Sequence, residues 1–209
     1  MSDRRAPFPL LFYYFGLIAF LYLPIVVLFL FSINANTTLS FPLKGFTLGW
    51  YQKLFEADAV LRAARNSLIV ASGSSFAATL LGTMVSILMM RYQFKSKNLL
   101  LALAALPLIV PYVVLGVALL LLFSVLHVDR SLLTVGVAHT VVALPYTLLI
   151  IASRLAGFDA SIEEAAMDLG ADYPTTLRRV VLPLILPAMV SAWLTADRKS
   201  TRLNSSHRL

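Results

Sequence analysis

Long apolar runs alternate with short polar ones along nearly the whole chain. The apolar runs are continuous rather than striped, so they are not the buried face of soluble amphipathic helices. Leu10–Ile33 is apolar apart from Ser32 and its tyrosines, and about 20 such residues carry a helix across a bilayer. Ser67–Met90, Leu99–Phe123 and Leu132–Ala152 repeat the pattern, and Leu184–Ala196 opens a fifth run that breaks off early. The pattern predicts an all-α, polytopic membrane helix bundle. Its spans cover about residues 10–33, 67–90, 99–123 and 132–152, with part of a fifth over 184–196.

Each run has its own character. Leu10–Ile33 is longer than the apolar core of a signal peptide and leads into Asn34-Ala35-Asn36, so it reads as a retained anchor. Pro24 lies within it, which a membrane helix tolerates when neighbours satisfy the freed carbonyl. The second run is rich in small and hydroxyl residues, among them Ser72, Ser74, Ser75, Thr79, Gly82, Thr83 and Ser86. Small residues let membrane helices approach closely and hydroxyls bond between them, so this helix belongs inside the bundle. The third run carries Pro107, Pro111 and Gly116, which predict a kink. The fourth carries His139, Pro145 and Tyr146 and is closed by Arg154.

The polar stretches are short, with one exception. Asn34–Asn66 reads as a loop whose GFTLGWYQKLFE segment gathers Phe46, Trp50, Tyr51 and Phe55. Such aromatics favour the headgroup zone, and an interfacial helix is the plainer reading beside a ligand-contacting one. The Asn36-Thr37-Thr38 sequon is set aside as chance. Arg91–Asn98 is a basic turn, and Leu126–Ser131 a short loop.

Composition agrees with a membrane. The chain is 59% hydrophobic and 13% charged, with a mean hydropathy of +0.84, against about 45–50% and about 25% for soluble domains. There is no cysteine, hence no disulfide or thiolate metal site. The net charge of +7 would suggest nucleic acid for a soluble protein. Here the basic residues sit between apolar runs, where they set topology and meet anionic lipid. Membrane lipid is therefore an expected partner and nucleic acid is not. With the N-terminus cytoplasmic, Arg4, Arg5, Arg91, Lys95, Lys97, Arg154, Arg178 and Arg179 lie inside. Lys44, Lys53, Arg62, Arg65 and Arg130 lie outside. That orientation has the basic excess on the cytoplasmic side.

After Ala196 the character changes. Asp197–His207 reads DRKSTRLNSSH where a span needs further apolar residues. These residues match the in-frame translation of a common sequencing-library adapter. The native chain is therefore expected to be truncated near Ala196, with residues 197–209 a non-native tail; a genuine tail is the alternative. The tail carries part of the positive charge.

One polar stretch late in the chain is compact and patterned. In Ile162–Pro183, Ser161 is placed to cap a helix with Glu164 reaching back, as in a capping box. Glu163 and Glu164 lie in the first turn, favourable to the helix dipole. Gly170 supplies a stop, and Asp172 with Pro174 starts a second helix. Arg178 and Arg179 lie near its end, and Leu182-Pro183 leads back into the bilayer. A helix–turn–helix lying across the inner surface, smooth at Ala165 and Ala166, suits a groove on another protein.

Glu164-Ala165-Ala166, three residues, Gly170, nine residues, then Val180, one residue and Leu182-Pro183 resembles the EAA loop of importer permeases in the ATP-binding-cassette superfamily. Val180 stands where isoleucine is usual. FTLGWYQKLFE, Arg91-Tyr92-Gln93-Phe94, Leu106-Pro107 with Pro111 and Gly116, Ala143-Leu144-Pro145-Tyr146, and Ser153-Arg154-Leu155 with Gly157-Phe158-Asp159 are similar to the second permease subunit of the polyamine (spermidine/putrescine) branch. The likeness covers nearly all of residues 1–196.

The resemblance implies a six-helix type I importer permease of the bacterial inner membrane, of which this chain holds four complete spans and part of a fifth. It implies a sister permease subunit, two ATPase subunits and an extracytoplasmic substrate-binding protein as partners. It implies that Glu164, Ala165, Ala166, Gly170, Leu182 and Pro183, within a cytoplasmic loop over 153–183, couple the ATPase to the membrane helices. The polyamine substrate is implied by the resemblance alone, and related importers carry other small solutes on the same frame.

The other chemistry is sparse. No G-x-x-x-x-G-K-[ST] occurs, so ATP hydrolysis is assigned to a partner chain. The chain itself is not expected to be an enzyme. His139 is the one ionisable side chain well inside a span, a default functional candidate, although a hydrogen bond to a neighbouring helix is the plainer account. With Tyr146, Ser75 and Thr79 it forms a candidate translocation path. Asp58, Glu56 and Asp129 read as surface charge. Glu163 and Glu164 are explained by the helix start rather than by acid–base chemistry. No metal or cofactor is expected. The competing class is a secondary transporter or membrane scaffold without an ATPase.

Overall fold

The computed structural model describes residues 8–38 and 40–205. It divides into two compact units, Met1–Arg62 and Ala63–Leu209. Arg4 and Arg5, counted above for orientation, and His207 of the tail lie outside the described residues.

In the first unit, α1 (Phe8–Ser32) is a single helix through Pro24. From Leu10 on, its side chains are apolar nearly all round and mostly exposed within the unit, as a lipid-facing span requires. The chain then turns back, with an antiparallel bridge between Asn34 and Phe46. The expected aromatic helix forms as α2 (Gly49–Glu56). Trp50 Nε1 donates to the Asn34 carbonyl at 2.9 Å, the Tyr51 and Ser32 hydroxyls meet at 2.8 Å, and Lys53 Nζ lies 4.7 Å from the Trp50 ring centroid.

The second long helix departs from expectation at its start. α3 runs over Asp58–Arg91, so the region read as loop up to Asn66 is helical from Asp58. Asp58 supplies a negative first turn, and no proline or glycine interrupts the run up to Ser67. The interior character holds from residue 70 on. Val70, Ala71, Ser74, Ser75, Ala78, Thr79, Gly82, Thr83, Ser86 and Met89 are buried.

The proline kink is larger than a bend. α4 (Lys97–Ile109) and α5 (Tyr112–Val125) meet at 114°. Val110 is extended (φ −80°, ψ 130°) and Pro111 follows it. A residue before proline is pushed out of the helical region and proline cannot donate to the ladder, so the helix breaks there. α6 (Leu132–Ala156) opens on a capping box in which the Thr134 N–H reaches the Ser131 hydroxyl and the Ser131 N–H the Thr134 hydroxyl.

α3 and α6 run parallel in contact. The Thr140 hydroxyl donates to the Ser74 carbonyl, Thr147 to Ala78 and Ser86 to Leu148, at 3.4, 2.8 and 3.0 Å. Partner numbers rise together along both helices, which fixes their relative direction. The chain leaving α3 must therefore return to the opposite end before α6 begins. The bent α4–α5 pair lies on that return, and the two helices together are long and apolar enough for one broken span. Gly82 allows the close approach: a Cβ there would lie 2.3 Å from Thr147 Oγ1 and 3.0 Å from the Leu148 nitrogen.

The fifth run also differs from expectation. The helix begins at Tyr173, not at Leu184. α8 (Tyr173–Thr176) passes through a π-helical turn at Leu177–Val181 into α9 (Leu182–Ser205). A 26-residue stretch, Tyr173–Arg198, is thereby long and apolar enough to span. Nor does the helix end at Ala196, since the polar residues that follow include no glycine or proline and continue it. α9 packs along α6. Ile151 and Leu155 of α6 form a buried cluster with Val181, Ile185 and Ala192, and Ala196 meets Ala78 and Ala143.

Candidate functional site

The patterned segment between α6 and α9 is built from short-range capping. α6 ends at Ala156, and the chain turns through Gly157 and Phe158 into α7 (Ser161–Asp168). Ser161 is not the cap expected of it. The N-cap residue is Ala160, and the Asp159 carboxylate accepts the Ser161 N–H at 3.0 Å. An aspartate two residues ahead does this readily because its short side chain reaches its own backbone. Bonds from the Ser161 backbone and hydroxyl hold the Asp159 carboxyl below the usual carboxylate range.

The end of α7 is a Schellman motif. The Ala171 N–H donates to Ala166 at 3.1 Å and the Gly170 N–H to Met167 at 2.9 Å. Gly170 has φ +90°, where a side chain would be strained, so the expected stop is present for this reason. The Asp172 carboxylate then caps the next helix, accepting the Thr175 N–H at 3.3 Å, with Pro174 in its first turn. Bonds from the Thr175 hydroxyl and backbone hold its carboxyl below the usual carboxylate range. The second helix starts where expected, but as the first turns of the fifth long helix rather than a separate surface element.

The two glutamates part company. Glu164 and Ala165 are exposed and Ala166 is half-buried. Glu163 is buried and ion-paired with Arg91 at the end of α3, which corrects the reading of both as an exposed helix start. The reason was invisible locally, because the partner lies 72 residues away. The outer edge of the segment adds apolar surface: Leu169 is 90% exposed, with Ile162 and Met167 also outward. Of the remaining coupling residues, Leu182 is half-buried beside the Ile151–Leu155–Val181 cluster and Pro183 is exposed.

The four candidate path residues differ in their surroundings. Ser75 and Thr79 are sealed within the bundle, and neither hydroxyl has a hydrogen-bond partner among the described residues. His139 is buried on α6. The Tyr146 hydroxyl lies 2.6 Å from that of Tyr112 on α5. Among the described residues, no group of three or more His, Cys, Asp or Glu could hold a metal.

Residues 78–196 match the family described as the binding-protein-dependent transport system inner membrane component. The chain is 38% identical to the spermidine/putrescine transport system permease protein PotC of Haemophilus influenzae, over 86% of this chain and 70% of that one. It is 37% identical to the putrescine transport system permease protein PotI of Escherichia coli K12 (85% and 65%). It is 35% identical to PotC of the same strain (84% and 66%). The chain thus spans about two thirds of the length of these relatives. A helical, multi-pass chain whose parallel α3 and α6 carry a capped polar segment at one end belongs to the family of inner-membrane permease components of binding-protein-dependent importers.

Proposed function

We propose that the full-length protein forms a solute path with a sister permease subunit, and that α7 is where two ATPase subunits couple to it. The N-terminus and α7 lie in the cytoplasm, and an extracytoplasmic binding protein delivers the solute. The observation that carries this reading is the asymmetry of α7. One edge is fixed to the bundle through Glu163, while Glu164, Ala165, Met167 and Leu169 face outward on a helix closed by a rigid Gly170 turn. An exposed, pre-organised helix edge with a large apolar tip fits a groove on a partner, since little ordering remains to oppose docking. On this reading Glu164, Ala165, Ala166 and Gly170 meet the ATPase, and Leu182 and Pro183 carry the displacement into α9.

The solute is proposed to be a polyamine, on the strength of the named relatives. The catalytic work of hydrolysis belongs to the ATPase chains. Glu164→Lys and Gly170→Pro test the docking. In the full-length permease expressed with its partners, both should strip the ATPase from the purified complex and abolish energised spermidine uptake, with the permease still in the membrane. Unchanged ATPase retention and uptake in both variants would sink the coupling reading and favour a transporter that needs no ATPase. Uptake that spermidine and putrescine fail to compete would remove the polyamine assignment alone.

A further inference from the structure

Glu163 has no local duty that accounts for its burial. α7 is started by Asp159 and closed by Gly170. A buried carboxylate is costly unless its charge is met, and Arg91 meets it from the last residue of α3. The contact is wider than one pair. The Arg91 guanidinium lies 5.8 Å from the centroid of the Phe158 ring, which precedes α7. Tyr92 meets Tyr173, which opens the following helix, edge-on at 6.0 Å. The end of α3 therefore holds the segment before, within and after α7.

By covalent connection alone, a displacement of α7 reaches α6 on one side and α8–α9 on the other. α3 is not next to α7 in the chain, and among the described residues it meets this segment through these side chains. Yet α3 is the helix locked to α6 by Gly82 and by three hydroxyl–carbonyl bonds. We propose that Arg91 and Glu163 are a positioning pair that makes α3 a third route for motion from α7 into the membrane helices. This rests on the reading of α7 as the docking element. With the pair intact, α7 cannot swing on its two chain connections without carrying the α3–α6 seam along. Without it, ATPase closure moves α7 and is partly lost there.

The test uses the full-length permease assembled with its sister subunit and ATPase in proteoliposomes. Spermidine uptake and ATP hydrolysis are measured on one preparation, with ATPase co-purification as the assembly control. Glu163→Gln and Arg91→Ala should each keep the ATPase bound but lower the solute moved per ATP by about fivefold or more, the scale of an energetic coupling between sites. The double exchange Arg91→Glu with Glu163→Arg should restore the ratio. A merely structural role would reduce uptake and hydrolysis together and leave the ratio unchanged. An unchanged ratio in Glu163→Gln, or no recovery in the exchange, overturns the proposal. Glu164→Lys is run alongside: if it retains its ATPase, the docking reading has failed and the positioning role falls with it. A lost ratio in Glu163→Gln with normal ATPase binding separates the two.

Discussion

The α3–α6 seam and the α7 segment are both contacts between distant parts of the chain, made by opposite means. In the seam, hydroxyls reach carbonyls and a glycine removes the obstacle between two backbones. In the segment, an ion pair, a cation over a ring and two crossed aromatic rings hold one edge, and the other edge is exposed. Lipid explains the difference. Within the bilayer an unpaired charge is expensive, so close packing with neutral hydrogen bonds is the affordable contact. At the aqueous surface a charged pair with an exposed neighbour is tolerable, and a bare edge can wait for a partner. The seam is closed by packing on both helices, whereas α7 is held at one side and exposed at the other.

The comparison breaks most readily at Gly82. Even a methyl group there would fall 2.3 Å from Thr147 Oγ1 and 3.0 Å from a backbone nitrogen. A backbone atom cannot rotate away, so α3 and α6 must separate. Overpacking of this kind costs about 1–3 kcal/mol, and Gly82→Leu should exceed the alanine variant and also part Thr147 from Ala78. The measurement is the unfolding midpoint of the purified permease in detergent, with Gly73→Leu as the control, since nothing lies within 4 Å of a Cβ at Gly73. Equal midpoints for Gly82→Leu and Gly73→Leu would mean that the seam is not in this register.

A smaller effect is expected from Thr147→Val, which keeps the shape and removes the hydroxyl. Thr147 Oγ1 lies 2.8 Å from the Ala78 carbonyl and 2.8 Å from that of Leu144 in its own helix. Interhelical hydrogen bonds in membrane proteins contribute about 0.6 kcal/mol on average and up to about 1.7 kcal/mol. The variant should lose stability within that range in the same assay. A loss as large as that of Gly82→Leu would place the strength of the seam in hydrogen bonding rather than in close approach.

What was legible in the sequence divides along the same line. The small and hydroxyl residues of the second run announced an interior helix, and Ser74, Gly82 and Ser86 do lie in the seam. Gly170 and Asp172–Pro174 announced a stop and a start, because those backbone states depend on adjacent residues. Pro107, Pro111 and Gly116 announced a kink, although not a full break at 114°, which depends on how α4 and α5 pack against α6. The unread features have non-local causes or competing local ones. Arg91 and Glu163 are matched by folding, not by spacing. Asp159 and Ser161 both suit a helix start, and the carboxylate took the bond. The Ser131–Thr134 capping box was readable as a serine and a threonine three apart before an apolar run, but threonine stands where glutamate would have given the usual sign. Tyr173–Val181 carries Thr175, Thr176, Arg178 and Arg179, and that polarity hid its continuity with the fifth span.

The finest distinction between the two regions is their response to acid. The caps of the α7 segment are carboxylates, whereas the seam bonds join hydroxyls to carbonyls. In the folded chain Asp159 and Asp172 both titrate below the ordinary aspartate value, because hydroxyl and N–H donors favour the charged form. A depressed folded value means that the unfolded chain binds the proton first. The stabilisation is therefore fully present above the ordinary carboxylate range and is lost as pH falls through the depressed value. In the isotope-labelled permease, the Ser161 and Thr175 amide resonances should follow titrations with midpoints below that of an unperturbed aspartate, while those of Ala78 and Thr147 stay flat. Asp172→Asn should abolish the Thr175 titration and keep the helix start, since asparagine caps as well as aspartate. Midpoints at or above that of an unperturbed aspartate would mean that the two carboxylates are not bonded to these amides, leaving Gly170 and the Arg91–Glu163 pair to define α7.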